Sequence, residues 1–253
     1  MAVKGTGGSA LYDVIGTGYA RVRRPDPRIA RQIHQALGAA ATVLNVGAGA
    51  GSYEPTDRHV IAVEPSTAMV RQRPPGSALA LRATAEELPF ADGRFEAAMA
   101  LLTVHHWSDP TIGLAELRRV TRGPIVVLTF DHAWHADQWL VAEYLPSMVT
   151  LDAQMPGPSV IAEALGGALI EVLSVPHDCT DGFCHAWWRR PDAYLDPMVR
   201  ASISGIARLP GPVVDEAMAR LASDLANGRW HQTHQNLLER EEIASGYRLV
   251  IAH

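Results

Sequence analysis

The sequence predicts an α/β fold with a parallel sheet. Three observations carry that expectation. Short apolar runs recur from residue 43 to residue 129 without strict alternation, which suits strands buried on both faces. Stretches with helical spacing lie between them. A glycine-rich turn follows the first run, where a strand must bend sharply into a helix.

Pro27 to Leu37 has helical spacing, with Ile29, Ile33, Ala36 and Leu37 on one face and Gly38 as its stop. Strands are expected at Val43–Val46, Val60–Val63, Ala78–Leu81, Phe95–Val104 and Ile125–Thr129. Helices are expected at Ser66–Arg73 and Thr111–Val120. Strand then helix, repeated, implies right-handed crossovers. After residue 131 the pattern changes. Residues 132–158 read as a helix plus a loop, Ser159–Leu165 as a helix and Leu169–Val175 as a strand. Residues 183–243 are mostly helical, broken at Pro191, Pro210 and Gly228, and Tyr247–Ala252 is a last strand. The chain is therefore one domain, 1–253. Its core is about 27–131, 159–182 and 244–253, and segments 132–158 and 183–243 form a helical cap. Such a cap would lie over the sheet's carboxyl edge, where open α/β sheets hold ligands.

Composition narrows the function. A chain of 253 residues, 47% hydrophobic, can bury a full core in one domain. A net charge of -5 argues against a protein built to hold phosphate backbones. The basic run Arg21, Arg23, Arg24 and Arg28 reads equally as a solvated helix start or a functional patch. Cys179 and Cys184 make no disulfide framework and fit a reducing compartment. The N-terminus lacks a signal-peptide core, and the longest apolar stretch, Ala97–Leu102, is too short to span a bilayer. A cytoplasmic protein with no membrane partner is expected. Residues 1–18 are glycine-rich and expected to be mobile unless a ligand orders them.

The strongest motif is Val43-Leu-Asn-Val-Gly-Ala-Gly-Ala-Gly51. Its glycines permit a tight turn and close approach of a ligand to the backbone. A dinucleotide fingerprint would need glycine at position 52, where Ser52 stands, so the spacing points away from a nicotinamide cofactor. Glu64, at the end of the next strand, can accept hydrogen bonds from both hydroxyls of a ribose. The competing reading makes it part of a helix start, where Ser66 is the better cap. There is no second glycine-rich phosphate loop and no Walker lysine, so the ligand is expected to be a nucleoside without essential phosphates.

These segments resemble the class I S-adenosylmethionine-dependent methyltransferases, closest to the subgroup of ubiquinone and menaquinone biosynthesis enzymes. The matching pieces are Leu44–Gly51, Ala62–Met69, Ala83–Phe90 with Asp92–Phe95, Leu102–Trp107 and Leu114–Val120, in the family's order. The resemblance implies a Rossmann-like, seven-stranded, mostly parallel sheet with helices on both faces and an antiparallel last strand. It implies S-adenosylmethionine as cofactor, released as S-adenosylhomocysteine. Gly47, Ala48, Gly49 and Gly51 would wrap its methionine part. Glu64 would bind the ribose, with Pro65 or Met69 against the adenine and Leu102 completing the wall. Thr84, Ala85 and Glu86 fall at the adenine edge. Thr84 stands where the family has an acidic side chain, so backbone groups or Glu86 would take that role. Asn45 likewise replaces an acidic residue at the head of the glycine motif. Tyr19 and Arg23 would close over the cofactor carboxylate, to which a guanidinium fork is suited.

Methyl transfer from a sulfonium is an in-line displacement that mainly requires positioning and exclusion of water. A base is needed only for a protonated nucleophile, and His105, His106, Asp131 and His132 are the candidates, with His135 close behind. His-His-Trp also occurs across the subgroup's different reactions, which leaves a structural reading open. The aromatics Trp134, Trp139, Tyr144, Trp187, Trp188 and Tyr194 either line an apolar acceptor pocket or pack the cap. Pairs such as His132-x-x-His135, Cys184-His185 and His231-x-x-His234 lack zinc-site spacing, and no metal is expected. The expected function is methyl transfer to O, N or C of a small, partly apolar molecule, in secondary metabolism. No nucleic acid partner is expected, and the chain would be a monomer or homodimer. The alternative is a cyclase or non-methylating scaffold of the same fold that retains the cofactor.

Overall fold

The computed structural model describes residues 19–253. Residues 1–18 and the side chains of Tyr19 and Ala20 lie outside the described residues, and with them the expected mobility of residues 1–18 and the expected role of Tyr19. Seven strands form one open sheet: β1 Thr42–Val46, β2 His59–Val63, β3 Leu79–Leu81, β4 Ala97–Leu101, β5 Ile125–Phe130, β6 Leu169–Pro176 and β7 Glu242–Ala252. Their order is β3-β2-β1-β4-β5-β7-β6. The first five are parallel, and β7 inserts antiparallel between β5 and β6. The direction of winding reverses between β1 and β4, which opens a crevice at their carboxyl ends.

The apolar runs produce this sheet because neighbouring residues face opposite layers. Val43, Ala97, Met99, Val126 and Leu128 join one buried cluster with Ile29, Ile33 and Leu37 of the first long helix. Leu44, Ala98, Ala100, Ile125 and Val127 join the other, with Leu114, Leu117 and Ile161. The first helices along the chain are α1 Tyr19–Val22, α2 Pro27–Ala36, α3 Thr67–Val70, α4 Pro110–Val120, α5 His132–Ala136, α6 Ser147–Asp152 and α7 Pro158–Ala164, of which α2, α4 and α7 supply these clusters. The remaining cap helices are α8 Pro197–Ala201, α9 Ser204–Ala207, α10 Gly211–Ala226, α11 Arg229–Thr233 and α12 Gln235–Leu238. Their own cluster contains Trp139, Tyr144, Tyr194, Leu221 and Trp230. Among the described residues, no helix is long and apolar enough to cross a membrane.

Three elements differ from expectation by more than one residue at a boundary. The strand expected at Phe95–Val104 is only Ala97–Leu101, because Leu102 takes a φ of +53° and breaks the ladder before a 3-10 turn at Val104–His106. The helix expected at Ser66–Arg73 shrinks to Thr67–Val70, capped by Ser66 Oγ accepting from Met69 N. The final strand begins five residues early, at Glu242, since pairing with β6 does not require an apolar pattern there.

Asp26 anchors α2 to the sheet's far edge. Buried completely, it accepts from Arg28 N at 2.9 Å, Arg28 Nη2 at 2.7 Å and Thr180 N at 3.1 Å. Burial alone would raise its pKa, but these hydrogen bonds outweigh it and lower the carboxyl to about 2 from 3.8. A depressed folded pKa adds stability above pH 3.8 that disappears as pH falls through about 2. Asp26→Ala is expected to destabilise the fold by about 2 kcal/mol at neutral pH in urea unfolding. The difference from the parent should shrink between pH 4 and pH 2, and a constant difference would contradict this reading of Asp26.

Candidate active site

The glycine turn is built by the ends of β1 and β2. Gly47 N and Ala48 N both donate to Val63 O, at 2.9 and 3.0 Å, which folds the turn over β2. Gly47 has a φ of +68°, and a Cβ there would collide with Thr103 Oγ1. Gly49 has a φ of +53°, and its Cβ would sit 3.2 Å from Met69 Cε at the crevice wall. Both positions need glycine for conformation and for space.

Glu64 lies just beyond β2 and is 6% exposed. Its Oε2 accepts from Gly49 N at 2.7 Å and its Oε1 from Ser66 N at 2.8 Å. The carboxylate therefore ties the glycine turn to the start of α3, while Ser66 does the capping. Asn45 donates through Nδ2 to Glu54 Oε1 at 2.9 Å, and Glu54 pairs with Arg73 at 2.7 Å. The acidic group at the head of the turn is thus Glu54, held by an asparagine in β1 and an arginine after α3.

Of the cofactor residues expected from the sequence, twelve line one cleft of about 1040 Å³: Arg23, Asn45, Gly47, Ala48, Gly49, Glu64, Pro65, Met69, Thr84, Ala85, Glu86 and Leu102. Gly51 does not line it; its Cβ would face Arg73 and Glu54, so this glycine shapes the back of the turn. Glu86 faces the cleft, but its Oε1 already accepts from Ser108 N at 2.7 Å and Asp109 N at 3.1 Å. It therefore pins the loop before α4. Tyr53 and Ser108 also line the cleft from outside every matched segment, and Thr103 and Trp107 line it from within Leu102–Trp107, where the sequence singles out only Leu102 and the two histidines.

A second cavity of about 520 Å³ adjoins the first. Arg23 and Leu102 line both. Arg23 Nε and Nη2 reach Asp181 Oδ1 and Oδ2 at 2.6 and 3.3 Å, and Tyr53 donates to Asp181 Oδ2 at 2.8 Å. Asp181 is fully buried, so the guanidinium is fixed at the junction. Leu102, a bulky residue with positive φ, stores local strain where the two cavities meet.

The histidines divide between the cavities. His106 lines the first and His105 the second, with ring centroids 3.9 Å apart. Burial lowers both pKa values, helped for His105 by His106 and for both by Arg208 and Arg23; His106 falls to about 3. Both imidazoles are neutral at physiological pH. Asp131 instead caps α5, accepting from Ala133 N at 3.2 Å, with Arg248 3.9 Å away. Asp131 and His132 line neither cavity. His135 and Asp152 do line the second, and burial pushes the Asp152 carboxyl up to about 6. The cap aromatics pack the cap: Trp139, Tyr144 and Tyr194 are buried in its own core, and Trp134 lies under Arg248 at the surface. The apolar wall of the second cavity comes from Phe130, Met148, Met155, Phe183 and Tyr247.

Comparison with known proteins is consistent with this architecture. Residues 44–124 match the methyltransferase domain family. A demethylmenaquinone methyltransferase of Renibacterium salmoninarum is 35% identical over 132 residues, 47% of this chain and 52% of that protein. The chain thus matches about half the length of that curated relative. A solved structure from Anabaena variabilis, described as a methyltransferase from an antibiotic biosynthesis pathway, is 30% identical with a TM-score of 0.83. The match covers 92% of this chain and all of that one. A 4+2 cyclase shares the fold at 14% identity and a TM-score of 0.54, over all of this chain and 98% of its own.

Proposed function

This chain belongs to the class I S-adenosylmethionine-dependent methyltransferases, and we propose that it transfers a methyl group to O, N or C of a small, partly apolar acceptor. The single observation that carries this reading is the meeting of two cavities at Arg23 and Leu102. One has the bare-backbone turn and carboxylate of a nucleoside site. The other is smaller, apolar on much of its wall, and furnished with neutral histidines.

The residues of the first cavity fit S-adenosylmethionine. Gly49 leaves a cradle that a side chain would crowd, Gly47 lets the turn close against Thr103, and Glu64 presents a buried carboxylate beside them. Arg23 stands where a cofactor carboxylate would meet the second cavity. The cofactor, when bound, supplies the methyl sulfonium. The protein's part is positioning: Leu102 and Arg23 frame the opening, and the apolar wall excludes water. His105, neutral and facing the acceptor side, can hydrogen-bond a hydroxyl or amine and orient its lone pair. The small second cavity with its largely apolar wall supports a free small molecule as acceptor, rather than nucleic acid or lipid. An acceptor of secondary metabolism is supported by the description of the Anabaena protein.

Calorimetry should show one site for S-adenosylmethionine and for S-adenosylhomocysteine. A small-metabolite screen should then yield a product heavier by one methyl group. Absence of binding would overturn the proposal. Binding with turnover but no methylated product would move the chain to the cyclase alternative.

A further inference from the structure

We infer that the chain holds one divalent metal ion of the zinc class between His135, Cys184 and His185. One ligand atom from each lies within 4.8 Å of the other two, and all three residues are buried. Among the described residues, no other group of this kind comes together. The residues stem from different elements. α5 carries His135, and the 3-10 turn Cys184–Trp187 carries the other two. Spacing along the chain shows Cys184 beside His185 but not that His135 meets them.

The independent observation is a set of buried polar atoms without hydrogen bonds at the same place. His185 Nδ1 lies 2.9 Å from Ser245 O, a carbonyl that can only accept, so Nδ1 carries the proton and Nε2 presents a lone pair. That Nε2 is buried and has no hydrogen-bond partner among the described residues. Neither ring nitrogen of His135 makes a hydrogen bond either, though Nε2 lies 3.1 Å from Asp152 Oδ2. Native interiors seldom leave such atoms unsatisfied. The two imidazole rings lie with centroids 4.3 Å apart and planes tilted by 30°.

The chemistry of the set suits zinc. Two imidazole nitrogens and a thiolate are a borderline-soft, three-ligand arrangement, and such sites keep a fourth position open. Binding forms a metal–sulfur bond and releases the Cys184 thiol proton to solvent. One thiolate leaves a net charge of +1 on the ion. Asp152, with Oδ2 3.1 Å from His135 Nε2, is placed to offset it. A small rotation of the His135 ring would bring Nε2–H onto that carboxylate and leave Nδ1 for the ion. His135, Cys184 and Asp152 line the second cavity, so the fourth position opens on it. Its facing an acceptor rests on the proposed function; metal binding itself does not.

The test is metal uptake by the whole chain, without turnover. Metal-free protein is titrated with Zn²⁺ against a chromophoric chelator, and with Co²⁺ followed by absorbance. One equivalent is expected, and the cobalt complex should show a thiolate charge-transfer band and the visible bands of a four-coordinate site. Cys184→Ser should abolish the thiolate band, whereas Cys179→Ser, at the chain's other cysteine, should keep it. Asp152→Asn should weaken zinc binding by about 10- to 100-fold. X-ray absorption at the zinc edge of the unmutated chain should count one sulfur at about 2.3 Å with nitrogen or oxygen at about 2.0 Å. That measurement decides the matter even if a variant fails to fold. No stoichiometric uptake, an all-nitrogen-and-oxygen shell, or a thiolate band that survives Cys184→Ser would each overturn the site.

Discussion

A Gly49→Val chain is expected to lose at least about 100-fold in affinity for S-adenosylmethionine, about 3 kcal/mol, while remaining folded. The φ of +53° at Gly49 lies where β-branched side chains are most strained, at a cost of roughly 1–3 kcal/mol. The loop would relax by turning the peptide, and the 2.7 Å hydrogen bond from Gly49 N to Glu64 would break. A valine that kept the native backbone would crowd Met69 and fill the cradle, because even its Cβ would stand 3.2 Å from Met69 Cε. Both routes damage the same cleft. Gly47→Ala is a useful contrast, since its Cβ collides with Thr103 within the fold and so should lower stability as well as binding. Calorimetric titration with thermal melts separates the two. Near-parental affinity in Gly49→Val would show that the cofactor does not lie against this turn.

The elements around this cleft were legible because two independent patterns coincide there. Val43–Val46 and Val60–Val63 are apolar on both faces, as central parallel strands must be, and each ends in residues that only a turn or a ligand explains. Glu64 stood out for the same reason, as a carboxylate immediately after a buried strand. The second cavity had no comparable signal. Its wall joins Arg23, Leu102 and His105 to residues of β5, α5, α6, the 183–184 segment, residues 202–205 and β7, segments that meet only where the cap packs on the sheet. Sequence shows a residue's own periodicity, not which distant segment it meets. The same limit placed Asp131 and His132 among the catalytic candidates. A short polar pair after a strand is equally a helix cap, and a cap is what Asp131 makes. The early half of β7 escaped because its partner strand, rather than its own apolar pattern, holds it.

Glu64→Ala should reduce affinity for S-adenosylmethionine by about 100-fold or more, and part of that loss would be indirect. Gly49 N and Ser66 N both donate to this carboxylate, so its removal leaves two backbone donors without their acceptor. That alone should cost about 1–2 kcal/mol of stability in urea unfolding. A weaker ligand is therefore ambiguous, since a loosened turn would bind any adenosyl compound poorly. A double-mutant cycle with the ligand as the second variable resolves the ambiguity. The parent chain should prefer S-adenosylhomocysteine over its deoxyribose analogue by about 10-fold, the worth of a hydrogen bond to a charged acceptor. The Glu64→Ala chain should show no preference. If both chains discriminated equally, Glu64 would be a clamp for the turn and nothing more, and the sugar's anchor would lie elsewhere in the cleft. If discrimination vanished with the carboxylate, one buried side chain would both shape the turn and recognise the ribose lying against it.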